Sequence, residues 1–533
     1  MRKFEKILVF ILAFVMLTGC SRTGSNKKSG GSGDKKISKM IFPYIIDFGE
    51  GSDDKGDKEE NTEPPENYAE RIDIASKDDI DKALEYDSIQ YLKIDGANIE
   101  DFSFLHNIKI EMLQVIRNKY PLDMECINSD AIEQLYLHST PIKNQSCASD
   151  FKKLENFTML SDKNNTEITS LDFLKDCKKL SEIHVANYAI ENLNFAKKLK
   201  KLDKLTITNS AIESLDGIEN CSGLTYLSVT RAKISDISSL RKLDDLQNLD
   251  LSDNRITDVG SIQFKDLTSL NLSDNFIKDV TALSKNRNLS FIVLSKNYIS
   301  EFPSELLKDD THLDLSYNNI RTLTDKDKSA LKNNVSGVNL FDNLLDSSTL
   351  KEVSNYDCVF FNVGETPLSA DEAIKYNDKI KEILAGMGDD DDENIMRVSK
   401  YVMDNGKMDH TYVDTYKDCA YGALFTKAVC TGFTELTNTL CRHLDIEVKT
   451  YHGDIADPDD GVRHVWSVCN GYHVDALQGM VHKNWHGYSD LVLLSDRQLE
   501  QYGHILDALN IPKITKEKSA AEMDAIYERL DRE

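Results

Sequence analysis

Three residues in the C-terminal third, Cys430, His464 and Asp475, stand where they could act together. Leu436, Leu440 and Leu444 follow Cys430 at helical spacing, which puts the thiol at a helix N-terminus. There the helix dipole and free N–H groups favour a thiolate and lower the thiol pKa below about 8.5. His464 and Asp475 flank Asn470-Gly471, a dipeptide that predicts a two-residue hairpin with a type I′ turn. The turn pairs Cys469 with Tyr472, Ser467 with Val474 and Trp466 with Asp475. His464 and Asp475 then become diagonal neighbours on one face, about 7–8 Å apart at the backbone. A carboxylate so placed can hold one imidazole nitrogen while the other faces the thiol. A slip of one residue in register would separate them. Cys441 lies mid-helix beside the leucine row and is expected in the core.

From residue 401 to about residue 478 the chain resembles the transglutaminase-like superfamily. Three blocks carry the resemblance. They are Ala420-Tyr421-Gly422-Ala423-Leu424 leading to Ala428-Val429-Cys430-Thr431-Gly432-Phe433, then His464-Val465-Trp466, then Tyr472-His473-Val474-Asp475. The resemblance implies a papain-like α+β fold with Cys430 as nucleophile, His464 as its base and Asp475 as the orienter of the histidine. It implies acyl transfer through a thioester, to water or to an amine, on protein or peptide amides. Four positions depart from the pattern: Ser467 after the tryptophan, Ala476-Leu477 after the aspartate, and Glu435 where a small residue is usual. The backbone N–H of Cys430 is one candidate oxyanion donor, with Tyr421 a second and Trp466 a pocket residue. A Cys–His pair of this kind titrates as a unit and is expected to give a bell-shaped pH profile near neutrality. Eight of the twelve histidines fall between His410 and His504 without a clear ligand spacing, so neither metal nor cofactor is expected.

The elements that position these residues fall into a domain from about 366 to 533. It opens with predicted helices at 370–386 and 393–405, the second started by the acids at 389–392. Before it, self-similarity dominates. Leu246-x2-Leu249-x-Leu251-x2-Asn254-x-Ile256 recurs around Asn275, Asn297 and Asn318, with the asparagines 21, 22 and 21 residues apart. This pattern is identified as the leucine-rich repeat. Earlier units, such as Leu92/Ile94/Ile99 and Leu205/Ile207/Ile212, keep the apolar spacing and drop the asparagine. An α/β solenoid from 71 to 365 follows, with a core buried only by stacking of neighbours. Cys177 and Cys221, each three residues before a repeat-opening leucine, are expected as small core residues. Asn343 marks the last unit, and the stretch at 358–362 is expected to cap the open end.

The N-terminus reads as a targeting segment. Arg2, Lys3 and Lys6 precede an apolar run at 7–16, too short to span a bilayer, which needs about 20 residues. Leu17-Thr18-Gly19-Cys20 resembles a bacterial lipobox, which implies cleavage before Cys20, lipidation of its sulfur, and an exported protein held at a membrane surface. Residues 21–70 read as a flexible linker rich in Gly, Ser, Lys and acids, interrupted by an apolar patch at 41–46. The formal charge of −26, spread along 533 residues, excludes the basic face that nucleic acid demands. Membrane attachment therefore falls to the lipid. The expected partners are a protein or peptide substrate and a protein ligand on the repeat surface. The alternative is a non-catalytic adhesin or binding protein with a silent C-terminal domain.

Overall fold

Short strands recur once per repeat from Tyr68–Ile74 to Val359–Phe360 and join in chain order into a 14-stranded parallel sheet. The computed structural model describes residues 67–333, 337–364, 366–408, 416, 418–455, 462–477, 492–501, 504–506 and 508–530. Cys20 and the apolar patch at 41–46 lie outside the described residues. Register follows phase: Leu249 pairs with Leu270, Leu270 with Ile292, Ile292 with Leu313, and Leu313 with Val338. Because strand side chains alternate, one set of apolar residues enters the core, and the alternate set lies on the other face of the sheet. All five of these residues are at most 2% exposed. The return side is built mainly from short 3-10 turns, such as Ser238–Lys242 and Thr281–Lys285, with few true helices.

The phased asparagines close the coil. Asn275 accepts from Ile256 N at 3.0 Å and donates to Leu251 O and Leu272 O, both at 3.0 Å. Asn254, Asn297, Asn318 and Asn343 repeat this pattern one turn apart. Each satisfies backbone groups of its own repeat and the preceding one, groups that would otherwise be buried unpaired. Asn118 does the same work in an early repeat, bonding Ile99 N at 2.7 Å and Ile99 O at 2.9 Å. The early units therefore do not all lack the asparagine. Cys177 and Cys221 are buried core residues whose thiols donate to Ala148 O and Ala196 O, carbonyls of the preceding repeat. The stretch at 358–362 lies at the end of the array, where Val359–Phe360 is the last strand of the sheet. Against this end of the repeats lies the first C-terminal helix, α1 (Ala370–Leu384), whose Tyr376 ring sits 4.7 Å from that of Phe341.

After α1 come α2 (Asp391–Asn405), α3 (Ala420–Phe425) and α4 (Cys430–His443). Strands β1 (Val448–Ile455), β2 (Val462–Cys469), β3 (Tyr472–Val474) and β4 (Val492–Leu494) follow. Helix α5 (Asp496–Glu500), strand β5 (His504–Ile505) and helix α6 (Ala520–Leu530) complete the domain. The strands form an antiparallel sheet in the order β4-β3-β2-β1-β5, against which α4 packs. Thr434 Oγ1 donates to Val465 O of β2, and Asn438 Nδ2 to Thr450 Oγ1 of β1. Ser369 and Asp390 cap α1 and α2 by accepting from the N–H groups three residues on.

Repeats and C-terminal domain share one compact unit, Pro65–Val363 with Leu368–Glu533. Helix α4 carries a second, polar face at helical spacing: Glu435, Thr439, Arg442 and His443, all at most 9% exposed. A surface helix would turn such a face to water. Here it meets a ridge of left-handed residues, one per repeat, at Asp253, Asp274, Lys296, Tyr317 and Asp342. Lys296 pairs with Glu435. Asp342 accepts from Thr439 Oγ1 at 3.0 Å and lies 3.0 Å from His443 Nε2. From β1, Lys449 reaches Asp253 at 3.2 Å and Asp274 at 2.8 Å. Tyr298 OH donates to Ile446 O at 2.9 Å and accepts from Val448 N at 3.0 Å. Glu435, an oddity when compared with the superfamily pattern, is thus half of an ion pair with the repeats.

Candidate active site

Cys430 is the first residue of α4, after Val429 in extended conformation, so its own N–H is free of helical bonding. Its thiol is partly exposed, unlike the fully buried Cys441 and Cys469. Just upstream, Gly422 passes under Tyr416, where any Cβ would lie 2.0 Å from the Tyr416 carbonyl oxygen. Only glycine allows the Ala420-Tyr421-Gly422 turn to pack there.

The hairpin has the expected register, with Ser467 opposite Val474 and Cys469 opposite Tyr472. Asn470 and Gly471 both have positive φ, at 47° and 74°, as a type I′ turn requires. The ladder ends at Val474, and Asp475 sits just beyond it. His464 Nε2 lies 2.7 Å from Asp475 Oδ2. That bond commits Nε2 and leaves Nδ1 for the Cys430 thiol, which is within hydrogen-bonding reach of the ring. All three sequence-predicted catalytic candidates therefore come together. Burial works against a charged imidazole. The Asp475 carboxylate, followed by the Cys430 sulfur, outweighs it and brings His464 up to about 10. Burial likewise opposes the Asp475 carboxylate, but His464 and His504 hold its pKa well below the usual carboxylate range.

Trp466, the candidate pocket residue, packs beside the His464 ring. Its indole N–H already donates to His473 Nδ1 at 2.9 Å, and His473 Nε2 meets Asp496 at 2.8 Å. The indole ring stacks on Tyr451 at 4.6 Å and lies 5.6 Å from the His464 ring at 27°. It backs the histidine and has no free donor for a substrate oxygen. Tyr421 lies in an aromatic cluster with Tyr416 at 4.8 Å, Phe425 at 4.9 Å and Tyr376 at 6.1 Å. Among the described residues no hydrogen bond ties its hydroxyl to Cys430 or His464. The Cys430 N–H remains as the oxyanion donor nearest the thiol.

One residue of the cluster is invisible in the sequence pattern. His504, on β5, places Nε2 2.9 Å from the same Asp475 oxygen. It lies 29 residues beyond Asp475, in a two-residue edge strand without a motif. His464, Asp475 and His504 also have the composition of a metal site. Their 2.7 and 2.9 Å separations are those of hydrogen bonds, whereas tetrahedral zinc at its usual bond lengths holds ligand atoms about 3.3 Å apart.

With this geometry in place, two family models match the chain. Residues 244–285 match leucine-rich repeats in two copies, and residues 378–491 match the transglutaminase-like superfamily. No curated protein matches. Among solved structures, an internalin from Listeria monocytogenes is similar at 19% identity and a TM-score of 0.41, over 54% of this chain and 88% of its own. A leucine-rich-repeat protein from Leptospira interrogans is similar at 18% identity and a TM-score of 0.41, over 55% of this chain and 90% of its own. The chain therefore carries a leucine-rich-repeat solenoid followed by a transglutaminase-like domain.

Proposed function

We propose that the C-terminal domain is an acyl-transfer enzyme working through a thioester on Cys430. The observation that supports this reading is His464, whose Nε2 is held by Asp475 and whose ring interacts with Cys430 at a helix start. The Cys430 thiolate attacks the carbonyl carbon of a protein or peptide amide. The resulting oxyanion faces the Cys430 N–H. As the C–N bond breaks, the imidazolium of His464 gives its proton to the leaving amine, and a thioester remains. Water, deprotonated by His464, then attacks the thioester, releasing the acid and returning the thiolate. An amine in place of water would give a crosslink. Hydrolysis is the preferred branch. The expected result is covalent capture of Cys430 by an acyl-directed peptide probe and turnover in an amide library. Cleavage or crosslinking that survives Cys430→Ala would end the proposal.

The enzyme sits, in this reading, at the end of a lipid tether. Cys20 carries the lipid, and the repeats hold a protein ligand. The Asn254 to Asn343 repeats give their left-handed ridge to the enzyme, which leaves the earlier repeats and the strand face for a partner. Cys20→Ala should leave the protein unprocessed or release it into the medium. Unchanged partitioning into the detergent phase would contradict the anchor.

A further inference from the structure

Two imidazoles share one carboxylate oxygen in this domain, and only one of them faces the thiol. His464 reaches Asp475 Oδ2 from the hairpin at 2.7 Å, and His504 reaches it from the edge strand β5 at 2.9 Å. Strand β5 brings His504 there by pairing with β1, His504 opposite Ile455 and Ile505 opposite Asp454. The three side chains are at most 4% exposed. Asp475 accepts at this oxygen, so the proton of a neutral His504 ring must sit on Nε2. Trp466 meets the His504 ring edge-on, at 5.0 Å and 83°, which limits its rotation. Its Nδ1 is buried and has no hydrogen-bond partner among the described residues. A satisfied structural histidine would use both nitrogens, whereas among the described residues this side chain bonds only the Asp475 carboxylate.

We propose that His504 is a positioning residue that fixes Asp475, so that His464 presents Nδ1 to the Cys430 thiol. The idea rests on Cys430 being the nucleophile. His464 and His504 hold one oxygen of Asp475 from separate strands, so a turn of the carboxylate about its Cβ–Cγ bond breaks both bonds, and the ring of His464 inherits the fixed direction. Besides Asp475, the titratable groups on this chain of contacts are His464 and Cys430.

The test uses the full-length protein and needs no substrate. Alkylation of Cys430 by iodoacetamide is followed by peptide mass across acid to alkaline pH. His504→Phe keeps a ring against Trp466 and removes the donor. His504→Gln restores an N–H donor in a similar volume. The Phe variant should slow Cys430 alkylation about tenfold to a hundredfold, the worth of one charge-assisted hydrogen bond. Its acid limb should move to higher pH, because a less firmly held Asp475 supports the His464 imidazolium, and with it the thiolate, less well. The Gln variant should recover most of the rate and the wild-type limb. A Phe variant with wild-type rate and profile overturns the positioning role and leaves Cys430 untouched. Equal losses in both variants with an unmoved profile make His504 merely structural and also overturn it. Stoichiometric zinc on the wild type that is lost in the Gln variant would replace positioning by metal ligation. Failure of wild-type Cys430 to label selectively overturns the nucleophile reading and this proposal with it, before any variant is made.

Discussion

Three of the four cysteines of the C-terminal domain, Cys430, Cys441 and Cys469, differ in surroundings, and their substitutions should separate cleanly. Cys430 is partly exposed at a helix start, while the Cys441 thiol is buried against that of Cys469. Cys430→Ala should abolish thioester formation with little change in melting. Cys441→Ala should lower stability by about 1–3 kcal/mol, measured by denaturant titration, and keep the chemistry. Asp475→Asn should preserve the fold and lower the rate by orders of magnitude, because the imidazole loses its fixed tautomer. The pH behaviour shifts from the neutral bell read from sequence. His464 raised to about 10 places the alkaline limb well above neutrality, where the imidazolium is lost. The same pair has a stability signature. A folded-state pKa above the unfolded one stabilises fully below the ordinary histidine value, about 6.5. That stabilisation fades as pH rises toward about 10. Melting temperature should fall across that interval in the wild type and change much less in Asp475→Asn.

At the scale of elements, the asparagine ladder is the feature most sensitive to single changes. Asn275 is 1% exposed and bonds Ile256, Leu251 and Leu272. Asn275→Ala should cost about 1–3 kcal/mol, because backbone groups of two repeats lose their partner. An unchanged melting curve would show that water fills the gap without loss. Local devices such as this ladder were legible in the chain, as were the Asn470-Gly471 turn and the helix start at Cys430. Each is written in spacing over a few residues, with backbone physics leaving one solution. Asn118 escaped because its unit was read by apolar spacing alone. His504 escaped for a stronger reason. Its partner is fixed by the pairing of β5 with β1, a contact across about fifty residues that no local period encodes. Glu435 stood out as unusual, yet its partner Lys296 lies 139 residues earlier in the chain, and nothing local points to it.

For the whole molecule, the decisive feature is the polar face of α4 buried against the repeats. Lys449 is 5% exposed and is shared by Asp253 and Asp274, whose side chains stay 21% and 23% exposed. Lys449→Met removes the cation shared by Asp253 and Asp274 and leaves Asp253 only Arg231, at 3.7 Å. The loss should be at most about 3–5 kcal/mol, reduced where water still reaches the carboxylates. A fragment holding only residues 366–533 would expose Thr439, Arg442 and His443 and should fail to give a cooperative transition. A soluble fragment with sharp melting and wild-type alkylation of Cys430 would show the docking to be dispensable. The ridge has a consequence for how this protein can evolve. Solenoids ordinarily gain and lose whole repeats with little penalty, since each unit meets only its neighbours. Here the transglutaminase-like domain is fitted to consecutive repeats like the teeth of a key, with strands about 4.7–4.9 Å apart setting the pitch. Removing one repeat between Asn254 and Asn343 would leave the coil sound and put Lys449, Glu435 or Thr439 opposite the wrong tooth. Repeat number is free to drift only upstream of that stretch, so length variation among natural versions should gather before about residue 248, where the first fitted strand begins.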